Sequence, residues 1–151
     1  MEFFPRTLSR TESDTMAERI QEGITARGFG LWALEIIDVS EFAGFTGLSV
    51  PRYETKFTPC VEIGWRMAFE YWGHGYASEA AGAVLTYGHE KLGLPEIVSF
   101  TAEINRRSRR VMERIGMRFC PEESFEHPLI PAGDRLSKHV LYRSTRRAQV
   151  L

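Results

Sequence analysis

Residues 63–80 read IGWRMAFEYWGHGYASEA, and this stretch decides the fold. Around its start, apolar residues alternate with small or polar ones at Val61, Ile63, Trp65 and Met67. This period of two predicts a strand over 61–69. Two glycines then interrupt the pattern, and apolar residues return at the spacing of a helix. The predicted buried stripe of that helix consists of Ala77, Ala81, Val84, Leu85 and Leu92. The stretch therefore predicts a strand, a tight turn and a helix in direct succession.

The glycine-rich turn is suited to binding an anion. The first turn of a helix has unpaired N–H groups and about half a positive charge, and glycines let a phosphate approach the backbone closely. The predicted donors are the amides of Gly73, His74, Gly75, Tyr76, Ala77 and Ser78. No Walker lysine follows and the third glycine of a dinucleotide turn is missing. This excludes a P-loop, argues against a Rossmann site, and leaves an ordinary turn as the alternative.

The elements around this stretch predict one mixed domain. Ser9 and Glu12 have the spacing of a capping box, which predicts a helix over about 10–26. The other predicted elements are strands over 30–37, 42–50, 97–104, 117–120 and 138–145, a short helix over 108–115 and a loop over 121–133. We expect a single α/β (α+β) domain over 1–151, with a mostly antiparallel sheet, helices on both faces and a frayed tail over 146–151.

The composition excludes several classes of protein. The chain has 151 residues, 43% of them hydrophobic and 26% charged, and a net charge of −1, so nothing draws it generally to nucleic acid or an anionic membrane. Two cysteines cannot form a disulfide framework or a structural zinc site. The first residues lack a signal-peptide pattern, and no apolar run is long enough to cross a membrane. We therefore predict a cytoplasmic protein with no metal and no nucleic-acid or membrane partner.

The positive charge is concentrated in one segment. Residues 105–118 contain six arginines and one acid, Glu113. Arginine forms forked hydrogen bonds to phosphate and carboxylate groups. A solvated helix face and a phosphate-binding surface are both compatible with this cluster, and its position in the fold decides between them.

Two motifs in this order resemble one known family. The segment 63–80 resembles the acetyl-CoA loop of the GNAT acetyltransferases, and more narrowly that of the RimJ/RimL-like branch. Downstream, Asn105 and Ser108 followed by Gly116 resemble the Asn-x-x-Ser segment of the same branch, as do the tail segments around His127 and His139. The resemblance extends over nearly the whole chain. It implies the GNAT fold and an enzyme that transfers the acetyl group of acetyl-CoA to a primary amine, on a protein N-terminus or a small molecule.

The resemblance also implies which residues hold acetyl-CoA, the expected co-substrate. The strand end at Trp65, Arg66 and Met67 lines the pantetheine arm through its backbone, and the loop from Gly73 to Ser78 holds the pyrophosphate. Asn105 binds the pantetheine where its strand separates from the neighbouring one. The arginine cluster then has a role, because Arg107 and Arg110 lie near the phosphates.

The catalytic residues are less clearly indicated. The tyrosine that many GNAT members use as the acid corresponds here to Met112, which cannot donate a proton, so we expect Ser108 to replace it. A helix-capping role is the alternative for Ser108. Glu62 is the first candidate for the base, because a half-buried carboxylate has a raised pKa, and a surface ion pair is its alternative. Glu103, His127 and His139 are weaker candidates, and a packing role is favoured for both histidines.

Acceptor binding and the chain start complete the expectations. Tyr53 and Phe57 are predicted to border the acceptor site. Relative to the family the chain begins late, which leaves an unpaired sheet edge that a homodimer partner could cover. A non-catalytic acyl-CoA-binding domain is the second interpretation, favoured by Met112 and the short N-terminus. A nucleic-acid binder using the arginine cluster is the third and the weakest.

Overall fold

The computed structural model describes residues 2–4 and 6–146, which form three α-helices, a short 3₁₀ helix (Phe69–Tyr71) and one six-stranded sheet. The helices are α1 (Arg10–Arg27), α2 (Tyr76–Glu90) and α3 (Arg106–Arg114). The strands are β1 (Leu31–Ile36), β2 (Ser40–Ser49), β3 (Glu62–Met67), β4 (Glu96–Ala102), β5 (Arg118–Glu126) and β6 (Lys138–Thr145). The order of elements along the chain is the one that the sequence predicts.

The sheet is mixed and mostly antiparallel. Its strand order is β1-β2-β3-β4-β6-β5, and every neighbouring pair is antiparallel except β3 and β4. This confirms the predicted fold class. Helices α2 and α3 cover one face, which we call the inner face, and the opposite one is the outer face. The core under the two helices includes Leu48, Ile63, Val84, Leu85, Ile97, Met112, Val140 and Tyr142.

Local chemistry explains two of the elements that position the site. Helix α1 begins with the predicted capping box, in which the Ser9 amide donates to the Glu12 carboxylate at 2.8 Å and the Glu12 amide to Ser9 Oγ at 3.3 Å. Strands β2 and β3 approach closely at Gly44, whose φ is +152°. A Cβ there would lie 2.1 Å from the Arg66 carbonyl oxygen, so only glycine fits this position.

The structure corrects the prediction for residues 121–133. We expected a loop after a short strand over 117–120, because three prolines occur in this segment, but β5 continues to Glu126. Proline lacks a backbone donor, and Pro121 is accommodated because β5 is an edge strand whose register shifts between Cys120 and Phe125. Of the predicted frayed tail, Arg146 has no secondary structure, and 147–151 lie outside the described residues.

Strand β1 lies at one edge of the sheet. No described residue pairs with the outer edge of β1, so the idea of a partner at this edge stays a prediction. Among the described helices, none combines the length and the apolar character that a membrane span requires.

Candidate active site

The parallel strands β3 and β4 separate almost as soon as they meet. They pair at a single position, Glu62 opposite Val98, where the Val98 amide donates to the Val61 carbonyl at 2.9 Å. One residue further on, the Ser99 hydroxyl reaches across to the Ile63 carbonyl at 2.9 Å. Beyond this bridge the strands diverge and leave an opening in the middle of the sheet.

Backbone groups of β3 face this opening. Gly64 and Ala68 direct theirs to β2: the Gly64 carbonyl accepts from Thr46 Oγ1 at 2.9 Å, and the Ala68 amide donates to the Ala43 carbonyl at 2.9 Å. The Ile63 and Met67 carbonyls point the other way. Because backbone directions alternate along a strand, the N–H and C=O of Trp65 lie on the side of the opening. An extended amide chain could pair with them there.

The glycine-rich turn lies at the far end of the opening. Gly73 and Gly75 have φ of +84° and +88°, and Gly75 is the N-cap of α2 without a capping side chain. The first intrahelical bond runs from the Glu79 amide to the Gly75 carbonyl at 3.0 Å. The preceding amides of the first turn, those of residues 76–78, therefore remain without an intrahelical acceptor. Such a helix start is suited to binding an anion, and its role as a phosphate site stays a prediction.

One face of α3 adds positive charge beside this site. Arg107, Arg110 and Arg114, spaced three and four residues apart, line the same groove as the glycine turn. The Arg107 guanidinium carbon lies 4.5 Å from the ring centre of Trp72, whose indole N–H donates to the Met67 carbonyl at 2.8 Å. The cluster therefore divides: these three arginines face the groove, whereas Arg109 donates to Tyr142 Oη at 3.2 Å on the sheet.

The groove has a volume of about 1140 Å³ and contains most of the predicted cofactor residues. These are Trp65, Arg66, Met67, Gly73, Gly75, Tyr76, Ala77, Ser78, Asn105, Arg107 and Arg110, together with Ser108. His74 is exposed and is not part of the lining. Glu62, Tyr53 and Phe57 also lie outside it. The structure thus brings the two distant sequence motifs together in one groove.

Asn105 and Ser108 form a small hydrogen-bonded unit at the start of α3. Asn105 caps the helix by accepting from the Ser108 amide at 3.2 Å, and its own side-chain amide donates to Thr101 Oγ1 at 3.0 Å and to Ser108 Oγ at 3.1 Å. The Ser108 hydroxyl oxygen therefore acts as an acceptor in this unit. Its own proton remains available for a group in the groove.

Glu62 lies on the outer face at the point where β3 and β4 part. Burial raises the pKa of its carboxyl to about 8, and a hydrogen bond with Ser49, its partner on β2, opposes part of this shift. Its charge also adds to the burial that raises the pKa of the Cys60 thiol to about 11. A carboxyl that titrates near neutral pH beside a sheet opening is suited to accepting a proton.

Tyr53 and Phe57 belong to an aromatic cluster on the outer face. Phe57 lies 5.7 Å from Phe100, centre to centre, and Tyr53 Oη is 3.1 Å from Nε2 of His127. The His127 ring is tilted against that of His139, with their centres 4.7 Å apart. Burial, with His127 as a second cause, lowers the pKa of His139 to about 4, and burial also lowers the pKa of His127. Both histidines are therefore neutral near pH 7. The roles of Tyr53 and Phe57 at the acceptor stay predictions.

Sequence reasoning missed the N-terminal segment. Residues 2–4 line the groove from the outer face, and the Arg135 guanidinium donates to the Glu2 carbonyl at 2.7 Å, which ties the segment to the loop between β5 and β6. Two adjacent phenylalanines ahead of a proline were a signal for a buried or binding segment, but nothing in the pattern showed which surface they cover.

A metal centre finds little support in the geometry. In the part of the chain that the structure describes, the one group of three suitable side chains is Cys120, Glu122 and Glu123. The Glu123 carboxylate is already bound by the Arg143 guanidinium at 2.7 Å. The absence of a metal stays a prediction.

A mixed sheet that opens between two parallel strands, with a glycine-rich helix start and an arginine-lined groove beside the opening, defines the acetyltransferase class of fold. The family model described as "Acetyltransferase (GNAT) domain" matches residues 1–118. The chain therefore belongs to the GNAT acetyltransferase family.

The chain is similar to two curated proteins over about 60% of its length and to a solved structure over nearly all of it. The "FsC-acetyl coenzyme A-N(2)-transacetylase" of Aspergillus fumigatus is 38% identical over 94 residues, 60% of this chain and 39% of that protein. The "Uncharacterized protein YkkB" of Bacillus subtilis is 36% identical over 92 residues, 61% of this chain and 52% of that protein. The matches thus span about half or less of these relatives. The crystal structure of a GNAT-family acetyltransferase from Bacillus anthracis superimposes with a TM-score of 0.72 at 26% identity, over 97% of this chain and 81% of the other.

Proposed function

We propose that the protein is an acetyl-CoA-dependent N-acetyltransferase that acts on a primary amine in a ternary complex. The observation that carries this proposal is the opening between β3 and β4, with Trp65 backbone groups on one side and an anion-binding helix start at one end. A pantetheine arm is an extended chain that contains amides, and it fits the backbone groups of Trp65 at the opening. The pyrophosphate of CoA fits the start of α2, with Arg107, Arg110 and Arg114 nearby. Membership of the RimJ/RimL-like branch and a cytoplasmic location belong to the same proposal.

In the proposed reaction the amine attacks the thioester carbonyl from the outer face. The Glu62 carboxylate takes the proton that the nitrogen loses, directly or through water, and the carbon–sulfur bond breaks. The CoA thiolate then receives a proton from Ser108, whose hydroxyl oxygen is held by Asn105 at 3.1 Å, and Ser108 regains a proton from water as Glu62 releases the one that it accepted. The backbone amide of Met67 is the proposed donor to the developing oxyanion. The acceptor is a protein N-terminus or a small amine.

Acetyl-CoA binding is the first test. Acetyl-CoA at a hundred times its dissociation constant should stabilise the folded chain by about 2.7 kcal/mol, which for this size raises the Tm by on the order of 5–10 °C. Thermal unfolding with and without acetyl-CoA measures the shift, and free pantetheine, which lacks the phosphates, serves as the control ligand. A cooperative transition that acetyl-CoA does not move would overturn the proposal.

A non-catalytic acyl-CoA-binding domain is the second candidate, because Met112 stands where many relatives carry a catalytic tyrosine and is 1% exposed in the core. Ser108→Ala separates the two. For an enzyme we expect kcat to fall by about 10–100-fold, since the leaving thiolate loses its proton donor, while the Kd of acetyl-CoA stays nearly constant. Release of free thiol measures turnover. Ser124→Ala on β5, outside the groove, is the matched control. Equal turnover in both variants would show that Ser108 is not the acid, whereas no thiol release from the unmodified protein would favour the non-catalytic domain.

A further inference from the structure

The outer face of β3 carries three residues in a row whose side chains share one direction. Glu62, Gly64 and Arg66 alternate with the core residues, and they face the same way as Ser49 and Phe45, their partners on β2. Nothing lies within 4 Å of the position that a Gly64 Cβ would occupy. The row therefore consists of a glutamate and an arginine with open space between them, above Gly64.

Aromatic rings hold Arg66, and no acid of the described residues pairs with it. Its guanidinium carbon lies 3.9 Å from the ring centre of Phe4 and 5.3 Å from that of Phe45. Within the described residues it makes no ion pair, and its buried Nε has no hydrogen-bond partner. The two acids that line the same groove, Glu2 and Glu70, are not paired with it. Burial also lowers its pKa, since the charge is partly withdrawn from water.

An unpaired, partly buried guanidinium is unfavourable until an anion reaches it. The phosphates of CoA have other partners, because the helix start of α2 and the three groove arginines of α3 lie on the inner-face side of the sheet. Of the Arg66 guanidinium only Nε is buried, and the edge formed by its two terminal nitrogens makes no hydrogen bond within the described residues, so this edge is left for a ligand. A carboxylate fits such an edge with two parallel hydrogen bonds.

We propose that Arg66 binds a carboxylate of the acceptor, so that the substrate is an amine that also carries a carboxylate, as amino acids and peptide-like compounds do. This proposal rests on the acetyltransferase function above and adds the substrate class to it. The amine then lies on the Glu62 side of Arg66, near the thioester that the Met67 amide holds, and Phe4 closes the site over Arg66. Glu62 and Arg66 are four residues apart on one strand, about 13 Å between Cα atoms, and both side chains are long enough to lean toward a ligand between them.

Pairs of product-like ligands test the proposal without the need for turnover. The probes are the N-acetyl derivatives of glycine, alanine and phenylalanine, and the carboxamide of each, titrated into the full chain with CoA bound. With ¹⁵N-labelled arginine, the Nε–H resonance of Arg66, assigned from the spectrum of Arg66→Gln, reports contact at the side chain itself. We expect at least one acid to shift this resonance and to bind at least ten times more tightly than its amide.

The variants separate an acceptor site from a cofactor site. Arg66→Gln should abolish the preference for the acid and leave the Kd of CoA within about twofold, whereas Arg107→Gln should weaken CoA binding at least fivefold and keep the preference. Arg66→Lys should retain part of the preference for the acid over the amide. If no acid moves the Arg66 resonance, if acids and amides bind alike, or if Arg66→Gln weakens CoA as Arg107→Gln does, the proposal is wrong. A wild-type chain that fails to bind CoA would instead contradict the proposed function.

Discussion

Glu62→Gln is expected to lower kcat by about 10²–10⁴-fold, the usual contribution of a general base, and to leave acetyl-CoA binding nearly unchanged. Because burial raises the pKa of Glu62 to about 8, the activity of the unmodified protein should rise with pH up to that value and then level off. The variant should lose this dependence. Steady-state kinetics between pH 6 and 9.5 measure both effects.

Glu103→Gln is the matched control for this result. Glu103 is also a glutamate near the groove, but it forms an exposed ion pair with Lys138 at 3.1 Å, and such pairs contribute little. We expect its pH profile to be that of the unmodified protein. A Glu62→Gln variant with the original profile would show that another group accepts the proton.

The raised pKa of Glu62 also predicts that the stability of the fold changes with pH. The pKa of Glu62 is raised in the folded state from 4.5 to about 8, so the folded chain holds this proton more tightly than the unfolded chain does. The stabilisation is complete below pH 4.5 and is lost as the pH rises through about 8. Glu62→Gln, which never ionises, should therefore gain relative stability between pH 5 and 9, on the order of a few kcal/mol. Thermal unfolding at both ends of this range measures it, and a constant difference would mean that Glu62 is well solvated.

Gly75→Asp is the second change with a large expected effect. Gly75 caps α2 with φ of +88°, and nothing lies within 4 Å of an added Cβ. Asparagine and aspartate tolerate this conformation better than other side chains. A carboxylate at this point would stand against the pyrophosphate, and close like charges cost several kcal/mol. Acetyl-CoA affinity should therefore fall by about 100-fold or more.

Gly75→Asn has nearly the same shape without the charge, and it separates repulsion from steric interference. We expect it to weaken acetyl-CoA binding by less than about tenfold, with a Tm close to that of Gly75→Asp, since both side chains tolerate a positive φ. Isothermal titration calorimetry of the two variants near 0.15 M salt measures the difference. Equal affinities would place the pyrophosphate away from the start of α2.

The parts of the fold that local chemistry determines were predictable from the sequence. The capping box at Ser9, the glycine turn at Gly75 and the period-two pattern of β3 each depend on residues within one or two turns of chain, and the structure has all three where they were predicted. The extension of β5 through Pro121 was not predictable, because a proline is tolerated there only by an edge strand, and strand order depends on distant pairing.

The candidate site likewise has parts that the sequence predicts and parts that it does not. The groove residues came from two motifs, each of which is continuous in sequence. The contact between Phe4 and Arg66 joins residues 62 positions apart, and the sequence shows neither which ring lies against the arginine nor that no acid of the described residues pairs with it. The positions of Tyr53 and Phe57 in a packed cluster with His127 likewise depend on how a loop folds back over the sheet.

The contact between Arg107 and Trp72 gives the molecule an optical reporter of its own. Of the three tryptophans in the chain, Trp65 and Trp72 line the groove, and Trp32 packs against Tyr87 outside the lining. A ligand phosphate that draws Arg107 off the indole would change the emission of Trp72, while a chain entering the opening would change that of Trp65. Intrinsic fluorescence can therefore follow occupancy of the groove in real time, without a label and without knowledge of the acceptor.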